Sequence, residues 1–289
     1  MSRAIGADVR LKLETLQPTF SYKVRGAFNA VLRLAESGAS RSTTTLVTAS
    51  AGNHGRALAV AAATVNIPLT VYAAESAPRT KLEAIRDAGA TLRTCPTYDD
   101  AEREAKKVAA ETGAVYISPY SHPDVIAGAG TVGLEIVEDW PGVDTIVVPI
   151  GGGGLISGIA LAAGGAANIV GVEAEASAPF TAGLAAGRII EIDVQPTLAD
   201  GLAGNLDPDA ITFDIVRDRV REIVVVAEQE LADAIAGVVV NERLVVEGAG
   251  ATAVAGALSG RVSSGGLRIA IVLSGANIDA GKLAALLQR

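Results

Sequence analysis

Short β-branched runs alternate along this chain with longer Ala- and Leu-rich segments, and that alternation admits few folds. It builds β-α-β units, whose strands pair in parallel while the crossover helices cover both faces of the sheet. The expected strands are TTTLVTA (43–49), PLTVYAA (68–74), TLRTC (91–95), DTIVVPI (144–150), NIVGVEA (168–174), REIVVVA (221–227) and LRIAIVL (267–273). Helices are expected over 54–65, 79–88, 99–112, 128–139, 155–164, 228–243 and 247–258. Pro68, Pro78, Pro96, Pro141, Pro179 and Pro196 fall at element boundaries, where proline is tolerated. No repeat, low-complexity tract or linker interrupts the series, so a second domain is expected inside the first.

Composition narrows the function classes. A chain of 289 residues makes one large or two medium domains. Its formal net charge of -8 argues against nucleic acid, whose phosphates require a basic footprint. No apolar stretch approaches the ~20 residues of a spanning helix, so no membrane partner is expected. The opening MSRAIGADVRLKLE carries no apolar core of a signal peptide, so a cytoplasmic location is expected. A single cysteine, Cys95, excludes an intrachain disulfide, and the two histidines, His54 and His122, do not make a His-rich metal site.

The most informative stretch is DTIVVPI-GGGG-LISGIALAAGG, a buried strand, four glycines and a helix. Gly151, Gly152, Gly153 and Gly154 bare several backbone N–H groups beside a helix N-terminus, an anion site suited to a phosphate. A tight turn needing small residues would use one or two glycines, not four. A dinucleotide reading wants G-x-G-x-x-G and an acidic residue ~20 positions on. Glu173 fits that acidic position, but the glycine spacing fits only loosely, through Gly158. A nicotinamide-dependent oxidoreductase is therefore the alternative from another class.

Two other loops offer polar chemistry. In LVTASAGNHGRALAV an expected strand ends in Ser50-Ala51-Gly52-Asn53-His54, which would cradle a carboxylate or oxyanion at the next helix start. The competing explanation is a capped helix, with Ser50 or Asn53 as the cap. In IAIVLSGANIDAGKL another strand ends at Ser274, Gly275 and Asn277. Lys23 stands near the N-terminus at a helix start, in SYKVRGAFNAV. A lysine, a phosphate cup, a carboxylate cradle and a hydroxyl are together what a phosphorylated carbonyl cofactor needs.

These motifs, SYKVRGA, SAGNHG, SPYSHPDVIAGAGT, PIGGGG, TLADGLAG, VVEGAGA and SGANID, resemble the fold-type II pyridoxal-phosphate enzymes, within them the threonine dehydratase and serine racemase family. The resemblance runs from Leu11 to about Asp279. It implies two open parallel α/β domains, tryptophan synthase β-like, with pyridoxal 5'-phosphate between them. The larger would comprise 1–44 and 124–289 and the smaller, inserted one 45–123. By the same resemblance Lys23 would hold the cofactor as a Schiff base, and Tyr22 would stand where the family usually has Phe. Asn53 would bond the cofactor's phenolic oxygen, Gly151 to Gly154 its phosphate, and Ser274 its pyridine nitrogen. Ser50, Ala51, Gly52, Asn53 and His54 would receive the substrate carboxylate. Glu247 would point into the cofactor site, unless it merely caps a helix start.

The reaction implied is β-elimination, converting L-threonine or L-serine to a 2-oxo acid and ammonia. Racemising relatives resemble SSGNH, whereas Ala51 here moves no proton, which favours a dehydratase over serine racemase. A 3-hydroxyaspartate dehydratase is the other alternative within the class. Some relatives bind a divalent cation through a Glu and an Asp six residues on. Glu173 matches the first, but Pro179 stands at the second, so no tight metal site is expected. Relatives also carry a Thr-Pro-Leu-like strand region before the lysine motif, where only ten residues precede Leu11 here. No C-terminal regulatory domain is expected, and the resemblance implies a homodimer or homotetramer, as is common in the family.

Overall fold

A computed structural model describes residues 1–40, 42–263 and 267–288. The chain forms two compact units, Met1–Tyr22 with Ala129–Arg289, and Lys23–Gly128. The second is wider than the 45–123 read from the sequence, because it also takes residues 23–44 and 124–128. Close packing explains the grouping. A Cβ on Gly26 would lie 2.6 Å from the Val125 carbonyl oxygen, and one on Gly128 2.5 Å from that of Arg25.

The first unit is built on five parallel strands in the order β1-β9-β6-β7-β8, where β1 is Asp8–Leu13, β6 Thr145–Pro149, β7 Asn168–Ala174, β8 Glu222–Val226 and β9 Arg268–Leu273. β6 is buried at every residue, which is why it reads as an unbroken apolar run. β1 went unrecognised in the sequence because it is an edge strand. Asp8, Arg10 and Lys12 interrupt its apolar residues, and among the described residues it pairs on one side, with β9.

Eight helices of this unit are α1 (Ser2–Ile5), α6 (Pro123–Asp139), α7 (Gly154–Ala163), α8 (Pro179–Ala186), α9 (Ile211–Arg219), α10 (Glu228–Gly237), α11 (Gly248–Leu258) and α12 (Ala280–Leu287), with the unit boundary inside α6. α6 starts earlier than the expected 128, with Pro123 in its first turn where proline costs nothing. α10 stops before the expected 243, and Val238–Glu242 continue it as a π-helical turn closed by Arg243 at φ 60°. One core face joins Val172 and Ile271 to Ile235 of α10 and Val254 of α11. Gly256 lets α11 lie against the sheet, since a Cβ there would meet Val172 Cγ2 at 2.5 Å.

The second unit holds four parallel strands in the order β4-β3-β2-β5: β2 is Leu46–Ala49, β3 Leu69–Ala74, β4 Thr91–Cys95 and β5 Val115–Tyr116. β5, at two residues, is too short to leave a periodic signal. Helices α2 (Lys23–Glu36), α3 (Asn53–Thr64) and α4 (Arg79–Asp87) bury Leu58 and Ile85 with Leu46, Val71 and Ile117 on one face. α5 (Tyr98–Thr112) covers the other through Ala101 and Ala105, packed with Val47, Ala49 and Tyr72. No helix among the described residues is long and apolar enough to cross a membrane.

Candidate active site

In open parallel sheets, ligands meet the loops that leave the carboxyl ends of the strands. In the first unit those loops carry the glycine cup and Ser274. After β6 the chain turns through Gly151–Gly153, and α7 begins at Gly154 with no side chain capping it. Gly153 sits at φ 85°, and a Cβ there would lie 2.6 Å from Phe180 Cζ and 3.0 Å from Thr212 Cβ. A Cβ on Gly151 would come within 2.8 Å of Leu202 Cα. The Thr212 hydroxyl donates to the Gly152 carbonyl at 2.8 Å, which fixes the loop and turns that oxygen toward its partner. The first helical bond of this turn runs from Ser157 N to Gly153 O, so the amides of Gly154, Leu155 and Ile156 stand at an open, positively polarised helix start. The cup is therefore held from behind by Phe180, Thr212 and Leu202.

Leu198 and Leu202 belong to TLADGLAG, a motif that carried no role in the sequence. A Cβ on Gly248 would fall 2.0 Å from the Leu198 carbonyl oxygen, so the loop at 197–204 fixes the start of α11 as well as the cup. Glu247 occupies the N-cap position of α11 but makes no side-chain capping bond, so capping does not account for it. It is buried, and its N–H donates to Gly275 O at 3.0 Å. The Ser274 hydroxyl, on a residue 4% exposed, has no hydrogen-bond partner among the described residues. Its carbonyl accepts from Tyr22 N at 3.0 Å, and Ser21 bridges Gly275, which places the residues before Lys23 alongside the end of β9.

Glu173 has another use than metal or ribose binding. Its carboxylate is fully buried and accepts from Phe180 N, Thr181 N and the Thr181 hydroxyl at 2.9, 2.9 and 2.6 Å. It thereby closes the N-terminus of α8, which carries Phe180 to the back of the cup. Burial pushes its carboxyl above the ordinary range, against the pull of those bonds. With both oxygens engaged, the dinucleotide reading loses its ribose acceptor.

In the second unit, β2 ends at Ala49 and α3 begins at Asn53, with Gly52 as an N-cap that has no side-chain bond. Neither Ser50 nor Asn53 caps the helix; the Ser50 hydroxyl instead accepts from Gly52 N at 3.2 Å. A second uncapped helix start thus follows a strand end, with the shape of a carboxylate cradle. Lys23 is the first residue of α2, and its Nζ donates to the Pro119 carbonyl at 2.7 Å. The segment after β5 also positions the imidazoles. His54 Nε2 faces Ile117 O at 3.4 Å, and His122 Nδ1 accepts from Asp124 N at 3.2 Å.

Burial, then the Lys23 charge, lowers His54 to about 3, so its ring is neutral at physiological pH. With Nε2–H directed at Ile117 O, Nδ1 is a lone-pair acceptor with no partner, and a carboxylate gains nothing from the ring. What His54 offers an anion is its main-chain N–H. A pH dependence follows. Between about 3 and 6.5 the unfolded histidine binds a proton that the folded one refuses, so stability falls as pH drops through that window. At pH 4.5 the loss from this residue is about 2–3 kcal/mol relative to pH 7.5. Urea unfolding of the wild type and His54→Gln at both pH values should show a smaller drop in the variant by that amount. Equal drops would mean that His54 titrates normally.

Residues 1–275 match the family described as pyridoxal-phosphate dependent enzyme. The chain belongs to that family. It is 41% identical over 283 residues to the L-threonine ammonia-lyase of Thermotoga maritima, a match covering 96% of this chain and 69% of that protein. It is 37% identical over 287 residues to the L-threo-3-hydroxyaspartate ammonia-lyase of Saccharomyces cerevisiae, covering 98% and 87%. The structure of maize serine racemase matches with a TM-score of 0.89 at 35% identity, over 99% of this chain and 88% of that one. Two parallel α/β units are the fold-type II architecture expected from the motifs. Pyridoxal phosphate is the cofactor of this family, and the described residues fit it. The uncapped start of α7 after Gly151–Gly153 offers backbone N–H groups of the kind a phosphate needs, and the Lys23 amine and the unbonded Ser274 hydroxyl are groups of the kind the cofactor's carbonyl and ring nitrogen would need.

Proposed function

We propose that this chain is a dehydratase that converts L-threonine, L-serine or a related β-hydroxy amino acid to a 2-oxo acid and ammonia. When bound, the cofactor supplies a carbonyl carbon for an amine and a ring that takes up the electron pair left on Cα. The chain's own groups do the rest. The open start of α7 would hold the phosphate, and Asn53 would bond the phenolic oxygen. Ser274 would offer the pyridine nitrogen a neutral hydroxyl, which does not hold it protonated, and Glu247 would border the site. Tyr22, next to the lysine, would stand beside the cofactor.

Lys23 would hold the cofactor through its amine and, as a free amine, would take the proton from the substrate Cα. The amides at the start of α3, with Ser50, Ala51 and Gly52 before them, orient the substrate carboxylate. The observation that carries this reading is Lys23 Nζ on the Pro119 carbonyl, in the same unit as the uncapped helix start at Asn53. Similarity to the yeast protein supports threo-3-hydroxyaspartate as a second substrate. A cytoplasmic homodimer or homotetramer completes the proposal, and sedimentation of the purified protein decides its assembly.

Substrate release is the direct assay. The cofactor-loaded protein should release 2-oxo acid from L-threonine or L-serine, with D-serine and threo-3-hydroxyaspartate as the other arms. Silence with L-threonine, L-serine and threo-3-hydroxyaspartate refutes the dehydratase. Ala51 lacks any group to return a proton on the face opposite Lys23, so Ala51→Ser should raise racemisation of L-serine by about tenfold or more relative to elimination. An unchanged ratio would remove residue 51 from the control of reaction type.

A further inference from the structure

The second unit contains a cleft that the proposed chemistry does not use. It opens on the α5 face of the sheet, at the end where the strands begin, with a volume of about 360 Å³. β2 contributes Val47, β3 Thr70 and Tyr72, β4 Arg93, and the last turns of α5 contribute Val108 and Thr112. The strand register explains the set: Val47 pairs with Thr70 and Tyr72 with Arg93, which brings these side chains to one face. Ala101 and Ala105, both fully buried, seat the first half of α5 on the sheet, and the cleft lies under its C-terminal end.

Two features mark this cleft as a binding surface. Tyr72 is 4% exposed, and what it leaves open is turned to the cleft: its hydroxyl makes no hydrogen bond among the described residues and is not a sealed-off atom, so a ligand can reach it. Arg93, an exposed residue that lines the cleft, makes no ion pair or hydrogen bond to a described residue, whereas other arginines of this chain, such as Arg79 and Arg217, lie against acids and are not available to a ligand in the same way. A guanidinium, a phenol and the Thr70 hydroxyl are therefore turned to the same space, backed by Val47 and Val108. Arg93 and Glu104 both act electrostatically on the Tyr72 hydroxyl. Among the described residues that line the cleft, Arg93 alone carries a charge, and one guanidinium matches one carboxylate as a bidentate pair.

We propose that this cleft binds a small organic monocarboxylate with a short aliphatic chain. The carboxylate takes paired N–H donors from Arg93 and a hydrogen bond from Tyr72, while Val47 and Val108 cover the chain. The proposal does not depend on the reaction assigned above.

The test is amide NMR of the cofactor-loaded protein titrated with butyrate, with inorganic phosphate as a second arm. Butyrate should give saturable shifts at Thr70, Arg93, Thr112 and Gly113, with a Kd in the millimolar range. Arg93→Gln should weaken binding by about tenfold or more and Tyr72→Phe severalfold, with thermal midpoints unchanged for both. The start of α3 is a competing carboxylate site, and shifts confined to Asn53–Gly55 would place the ligand there and overturn the proposal. So would the absence of saturable shifts, shifts that survive Arg93→Gln undiminished, or phosphate binding as tightly as butyrate.

Discussion

Lys23→Ala should abolish the visible absorbance of the cofactor-loaded protein and lower 2-oxo acid release by at least about 10³-fold. The substitution is structurally mild. Position 23 begins α2, alanine is the best helix former, and the substitution removes the amine's bond to the Pro119 carbonyl. Losing such a bond costs about 1 kcal/mol at a half-buried site, so the folded protein should persist. Lys23→Arg separates charge from chemistry. It keeps the cation and the reach to Pro119, but a guanidinium does not deprotonate and forms no stable link to a carbonyl carbon. Both variants should therefore be colourless and inactive. A small primary amine in the buffer should restore part of the activity to Lys23→Ala, whose cavity admits it, and none to Lys23→Arg. Retention of more than about a hundredth of wild-type turnover in Lys23→Ala would show that another group takes the Cα proton.

The parts of this site that were legible in the sequence are those in which one short segment does the work. Four consecutive glycines after a buried strand announce a cup because no fold needs so many without a ligand or a close packing partner. Here the packing demand holds: Gly151 and Gly153 are pressed by Leu202 and Phe180. The partners themselves were not legible. Thr212, which fixes the Gly152 carbonyl, comes from α9, and Glu173 positions Phe180 through α8; neither helix was anticipated. Such contacts depend on how distant segments pack, and no local period encodes that. Glu173 shows the same limit in reverse, since its place at the end of a strand suggested a ligand contact and its neighbours turned it into a helix clasp. For the strands, the buried ones announced themselves and the edge strand β1 did not, because burial on both faces is what makes a run continuously apolar.

Gly153→Ala tests whether the cup binds the cofactor as a rigid part. At φ 85° an alanine costs about 1–2 kcal/mol in backbone strain alone. Its Cβ would also press Phe180, which is fully buried and stacked on Phe213 at 6.2 Å between ring centres, so the ring has nowhere to retreat. The turn must shift instead, and a displacement near 1 Å at a binding group costs about 10²-fold. Apparent affinity for pyridoxal phosphate should therefore fall by about that factor, with a stability loss of ~2–4 kcal/mol in urea unfolding. Gly55→Ala acts on the other helix start. Its Cβ would meet the Ser50 carbonyl at 2.4 Å, so α3 must move relative to the end of β2. If α7 serves the cofactor and α3 the substrate, Gly55→Ala should raise the substrate KM by tenfold or more, about 1.4 kcal/mol, and change cofactor affinity much less. Cofactor affinity unmoved by Gly153→Ala would mean that the phosphate is held elsewhere, and equal effects of Gly153→Ala and Gly55→Ala on cofactor and substrate would end the division of labour between the two helix starts.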